Sequence, residues 1–156
     1  MTVAWGGSIV IGVTPERLWE VLLDPDADTD WRAPWVRSVR ALSDGPIEVG
    51  SRYETRYNFY FVVAETATSE ITAIDPPHLL AWRMRGSMSD GEGRYLLEPT
   101  DGGTRFTIAA THTGRGPTRL LDRAFARHLN RSIAPRQLEA LRALATRSSG
   151  GGATGR

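Results

Sequence analysis

Residues Ile11-Gly-Val-Thr-Pro-Glu-Arg-Leu-Trp-Glu-Val-Leu-Leu-Asp-Pro25 set the order of the first elements. Ser8-Ile-Val-Ile-Gly-Val13 is short and rich in β-branched residues, so it reads as a strand. Thr14 then stands as a helix N-cap. Pro15 takes the first helical position, where its missing N–H leaves no intrahelical bond unmade. Leu18, Trp19, Val21 and Leu22 recur at amphipathic spacing, and the helix stops near Asp24 because a residue ahead of proline disfavours α geometry. A second short helix or turn is expected over Ala27 to Trp31.

From Val36 onward the grammar is β, with strands expected near 36–43, 51–62, 65–75, 79–86, 92–99 and 103–113. The punctuation is Asp44-Gly45-Pro46, Asp75-Pro76-Pro77, Ser89-Asp90-Gly91 and Asp101-Gly102-Gly103. After Gly114-Arg-Gly-Pro117 a helical pattern rich in Leu, Ala and Arg runs to about Thr146, followed by a Gly/Ser tail over 148–156 that reads as flexible. The predicted class is α+β: one domain over 1–147 in which a bent, seven-stranded antiparallel sheet wraps around the C-terminal helix, so that each apolar face is covered.

The 156 residues suffice for one sizeable core. With 40% hydrophobic and 24% charged residues the composition is that of a globular domain. The longest apolar run, Phe59 to Ala64, is far short of a membrane span. Met1 to Gly7 has no basic residue ahead of its apolar stretch and reads as the start of the domain, so a cytoplasmic location is the expectation. The chain has no cysteine and no lysine; all 19 basic residues are arginine. Thiolate and Schiff-base chemistry are thereby excluded, whereas carboxylate and phosphate recognition stay open. A net charge of +1 gives no drive towards nucleic acid, and membrane contact is disfavoured.

Ile11 to Pro25, Trp31, Val49-Gly-Ser-Arg-Tyr53, Ile74-Asp-Pro-Pro77 with Leu80-Ala-Trp-Arg83, and Gly102-Gly-Thr-Arg-Phe106 follow one another in an order and spacing that resembles the START-related polyketide cyclase/dehydrase and lipid-transport superfamily (SRPBCC). The resemblance covers residues 8–146. It implies a helix-grip fold, with two short helices after the first strand and a deep hydrophobic cavity between the sheet and the last helix. It implies no particular reaction, because the family includes carriers as well as cyclases.

Metal and nucleophile motifs are weak. Asp24 to Asp30 alternates carboxylates as a calcium loop does, but Thr29 and Trp35 stand where glycine and glutamate are required. His78, His112 and His128 lack metal spacing, no Gly-x-Ser-x-Gly elbow occurs, and no cofactor is expected. The strand faces say more. Tyr57 and Phe59, Trp82 and Met84, Tyr95, and Phe106, Ile108 and His112 alternate onto inward faces. So many aromatic, hydroxyl and thioether groups suit a ligand-lined interior better than an aliphatic core. Ile71 and Ile74 fall on opposite faces, which calls for a bulge between them.

In the last helix Arg115, Arg119, Arg123, Arg127 and Arg131 recur every fourth residue, opposite Leu121, Phe125, His128 and Ser132. Beyond Pro135 the apolar set Leu138, Leu141 and Ala145 has another phase, which in a straight helix would point Arg127 and Arg131 inward. Pro135 removes the hydrogen bond to the Arg131 carbonyl, so a kink or break that re-phases the two halves is expected there, with Leu121, Phe125 and His128 inward and the arginines solvated.

The residues therefore point to enclosure of a hydrophobic small molecule, aromatic, polyketide-like or lipid-like. An enzyme of the cyclase/aromatase type is the alternative, in which inward Tyr and His would orient a chain and exchange protons. A partner- or membrane-surface-binding module, or a homodimer, is a third class. It draws on the arginine-rich helix and on the apolar Phe59 to Val63 segment.

Overall fold

A computed structural model describes the backbone of residues 2–59 and 63–153, and the side chains of 2–58 and 64–147. Strand β1 (Thr2–Ile11) leads into α1 (Pro15–Leu23) and α2 (Pro25–Trp31). The Arg17 N–H donates to Thr14 Oγ1 at 3.2 Å, and the Asp26 N–H donates to Asp24 Oδ1 at 2.9 Å, so both helices open on a capped proline turn. Six strands follow: β2 (Val36–Ala41), β3 (Arg52–Phe59), β4 (Val63–Asp75), β5 (Leu79–Gly86), β6 (Ser89–Thr100) and β7 (Gly103–Gly114). The sheet is fully antiparallel, in the order β1-β7-β6-β5-β4-β3-β2.

The bulge expected in β4 is present: the register to β5 slips between Ile71 and Ala73, which lets Ile71 reach the core. Three boundaries differ from expectation. β1 begins at Thr2 and not at Ser8, because Thr2 to Gly7 finds a partner in β7 through Thr113 to Ile108. Ser89-Asp90-Gly91 is not a turn but the first part of β6, paired with Gly114, Thr113 and His112. Helix α4 (Ala134–Ala153) continues past Thr146, with no proline to stop it in the Gly/Ser segment.

The last helix is the instructive departure. It consists of a 3₁₀ segment (Gly116–Leu121), α3 (Asp122–His128), a π turn (Leu129–Ile133) and α4. The Ala134 N–H donates to Leu129 O, five residues back. Pro135 has no N–H for the Arg131 carbonyl, and the widened turn resolves the conflict by shifting the phase rather than by breaking the helix. The buried set passes from Phe125, Leu129 and Ile133 to Ala134, Leu138, Leu141 and Ala145. Arg127 and Arg131 are exposed, as expected, but the inward phase is displaced from the predicted one. Leu121 is 48% exposed at the end of the 3₁₀ segment, and His128 and Ser132 are half-buried, with Leu129 taking the inward place.

The main core joins Leu18, Trp19 and Leu22 of α1, Trp31 of α2, Leu97, Phe106 and Ile108 of the sheet, and Leu138 and Leu141 of α4. Fully burying each of these side chains contributes about 1.5–3 kcal/mol.

Candidate functional site

The concave face of the sheet and the α3 to α4 segment enclose a cavity of ≈ 50 Å³. That is room for a few water molecules and well short of the ~300–1,000 Å³ of a drug-sized pocket. The cavity is a slot between aromatic side chains, which must part for a ligand of any size. Trp82 on β5 and Tyr95 on β6 pack with ring centroids 4.5 Å apart. Trp35 bridges to Tyr57 at 5.7 Å and to Phe125 at 5.4 Å. Gly93, opposite Trp82 in the sheet, makes room for this indole: a Cβ there would lie 2.7 Å from Trp82 Cζ2.

Among the predicted residues, Tyr57, Trp82, Met84, Tyr95, His112 and Phe125 come together on the wall. Phe106 and Ile108 are buried one layer away in the core, where the Phe106 ring lies 5.3 Å from that of Tyr95. Leu121 and His128 do not line the cavity. The side chain of Phe59, and the Tyr60 to Val62 part of the apolar segment, lie outside the described residues.

Five polar side chains, Arg32, Tyr57, Tyr95, Glu65 and His112, give the slot its chemistry. Arg32, the residue after α2, reaches in from the side, and its Nη1 donates to Asp28 Oδ2 at 3.0 Å. Burial works against its charge, but Asp28, by its charge and its hydrogen bond, opposes this and holds the guanidinium charged. Tyr95 is held protonated, its pKa raised by burial and only partly opposed by Arg32. Among the described residues neither Tyr57 nor Tyr95 has a hydroxyl hydrogen bond to protein, and Arg32 has no side-chain acceptor besides Asp28.

Glu65 is 2% exposed and fully engaged. Its Oε1 accepts from the Met88 and Ser89 N–H groups at 2.7 and 3.1 Å, and its Oε2 accepts from Ser89 Oγ at 3.1 Å. On the far wall His112 packs its ring 4.6 Å from Phe125, and its Nε2 lies 3.6 Å from Asp122 Oδ1. Burial lowers the His112 pKa and Asp122 opposes it, so the imidazole is neutral near pH 7. Asp122 itself accepts from the Gly114 N–H at 3.0 Å. Both buried carboxylates sit against glycines, Glu65 on Gly86 and Asp122 on Gly114, where a Cβ would collide with their oxygens.

Sequence reading missed Arg32, Trp5, Trp35, Glu65, Leu129 and Gln137. Glu65 was findable. Counting back by twos from Ile71 through Ser69 and Ala67 places it on the inward face. Among the described residues no group of acidic and histidine side chains could hold a metal, and no helix is long and apolar enough to cross a membrane.

Comparison with known proteins gives a consistent picture. The family model for polyketide cyclase/dehydrase and lipid transport matches residues 6–146. No curated protein matches the chain. Among solved structures, a conserved protein from Geobacillus kaustophilus is similar at a TM-score of 0.76 and 18% identity, over 94% of this chain and 97% of that one. The Zhui aromatase/cyclase from Streptomyces sp. R1128 follows at 0.75 and 18%, over 96% of both chains. A protein from Thermus thermophilus gives 0.74 and 18%, over 94% and 99%. At such identities the structural likeness speaks for the helix-grip fold alone. The family match over nearly the whole domain says more: this chain belongs to the polyketide cyclase/dehydrase and lipid transport family, whose fold is a hydrophobic-ligand-binding one.

Proposed function

We propose that the chain binds a hydrophobic, oxygen-bearing small molecule, aromatic or polyketide-like, between the sheet and the C-terminal helix. The observation that carries this reading is the convergence of Arg32, Tyr57 and Tyr95 on one aromatic slot, where no described side chain takes up the two hydroxyls or the guanidinium N–H groups that Asp28 leaves over. These donors face the slot, and an apolar ligand that displaced water from it would leave them costly unless it brought an oxygen to accept from them. Charge decides which oxygen. Arg32 is already balanced by Asp28, and Glu65 stands in the same wall, so a carboxylate would meet a site with no surplus positive charge. Carbonyl or hydroxyl oxygens fit better.

Fluorescence titration with neutral aromatic ketones tests this. A saturable change in tryptophan emission is expected, reduced in Trp82→Phe with the fold intact by circular dichroism. Absence of any saturable change in the unaltered protein rejects the reading.

His112 favours a second reading, in which the bound molecule also undergoes proton transfer. A neutral imidazole lines the cavity with a carboxylate behind it, an arrangement that can accept a proton and stabilise the cation formed. Product formation from a poly-keto precursor, lost in His112→Ala while binding persists, would establish it. Binding without product would leave a carrier.

A further inference from the structure

Charge is unevenly spread along the chain. Residues 115–136 hold six arginines and one acidic residue, Asp122, a net of +5 within a total of +1, so the rest of the chain sums to −4. Asp122 does not offset this surface: it is 1% exposed and turned towards the Gly114 N–H. Arg115 is taken up by Asp90, in two hydrogen bonds of 2.9 and 2.8 Å. Arg119, Arg123, Arg127 and Arg131 are exposed, and no described carboxylate lies within ion-pair distance of any of them.

These four recur every fourth residue. In a uniform α-helix each such step turns the row by about 40°, and the wider π turn works against that drift between Arg127 and Arg131. Beside the first of them stands Leu120, 89% exposed, the most exposed large apolar side chain among the described residues. The opposite side of the same helix, through Phe125 and Leu129, lines the cavity.

We infer that this outer face docks the protein on an anionic bilayer, with the arginines on lipid phosphates and Leu120 in the headgroup boundary. A row of guanidinium groups with no acidic neighbours matches a plane of phosphates. An aliphatic side chain held in water beside it gains by leaving water at a bilayer, and gains nothing on a nucleic-acid backbone or a rim of protein carboxylates. The surface would grip the helix that closes the cavity, so docking and ligand exchange would share one element. The inference does not depend on which ligand is bound.

Sedimentation of the full chain with phosphatidylcholine vesicles, with and without phosphatidylglycerol, tests it. Each arginine near such a surface is worth about fivefold in partitioning, so Arg123→Gln/Arg127→Gln/Arg131→Gln should lose on the order of a hundredfold on the anionic vesicles. Leu120→Ser should lose mainly the part of the binding that survives high salt. These surface variants should keep the circular dichroism of the parent. Equal partitioning onto both vesicle types, unchanged partitioning of the triple variant, or tighter capture by polyglutamate than by the anionic vesicles would overturn the inference.

Discussion

Two helical regions border the cavity, and both carry arginines. At the end of α2, Arg32 lies inside, one helical turn after Asp28, and the pair is mostly removed from solvent at 18% and 16% side-chain exposure. On α3 and the π turn, Arg123, Arg127 and Arg131 lie outside. The local sequence explains the difference. Asp28 stands four residues ahead of Arg32, whereas the acidic residue nearest the α3 arginines, Asp122, is committed to Gly114. A guanidinium can face a cavity where its own element supplies the counter-charge; without one it stays in water.

The largest expected effect is on the inner side of α3. Phe125→Ala removes a side chain that is 1% exposed and in ring contact with Trp35 and His112, and should cost about 3–5 kcal/mol in urea unfolding. Next comes the α2 pair. Asp28→Ala leaves Arg32 without its counter-charge and should cost about 2–3 kcal/mol, less than a fully buried pair because some solvent reaches it. Adding Arg32→Met should recover most of that loss; if the double variant is no more stable than the single one, the charge-pairing account of α2 is wrong.

A smaller effect is expected at His112, whose folded pKa lies below the ordinary 6.5. The unfolded chain then takes up the proton more readily than the folded one. This contribution to stability is therefore fully present above about pH 6.5 and is lost as pH falls through the lower folded value. Denaturation midpoints from pH 8 to 5 should fall less steeply in His112→Asn; equal slopes would remove His112 from the account. Arg127→Gln/Arg131→Gln should change stability by no more than about 0.5 kcal/mol, as surface substitutions do.

The sheet side of the site was largely legible in the sequence because period-two alternation is strict there. Tyr57, Trp82, Met84, Tyr95 and His112 all fell on the expected face, and the slip beside Ile71 was visible as a break in phase. The helix side was legible only in part. Pro135 signalled a conflict, but proline does not say whether a helix kinks, breaks or widens. The π turn exchanged His128 for Leu129 on the inner face, and the 3₁₀ segment carried Leu121 outward. Arg32 was hidden for another reason. The stretch Asp24 to Asp30 shows only carboxylates at alternate positions, and the fold alone reveals that Asp28 is spent on neutralising a largely buried cation.

The most direct test of this division between an inner and an outer arginine is the affinity for a neutral aromatic ketone, measured by calorimetry on Arg32→Met and on Arg127→Gln/Arg131→Gln. Arg32→Met loses a charged hydrogen bond, worth about 1.5–3 kcal/mol, and should bind at least tenfold more weakly. The outer pair should leave the affinity unchanged. A tenfold loss in the outer pair, with Arg32→Met binding as tightly as the unaltered protein, would contradict the account.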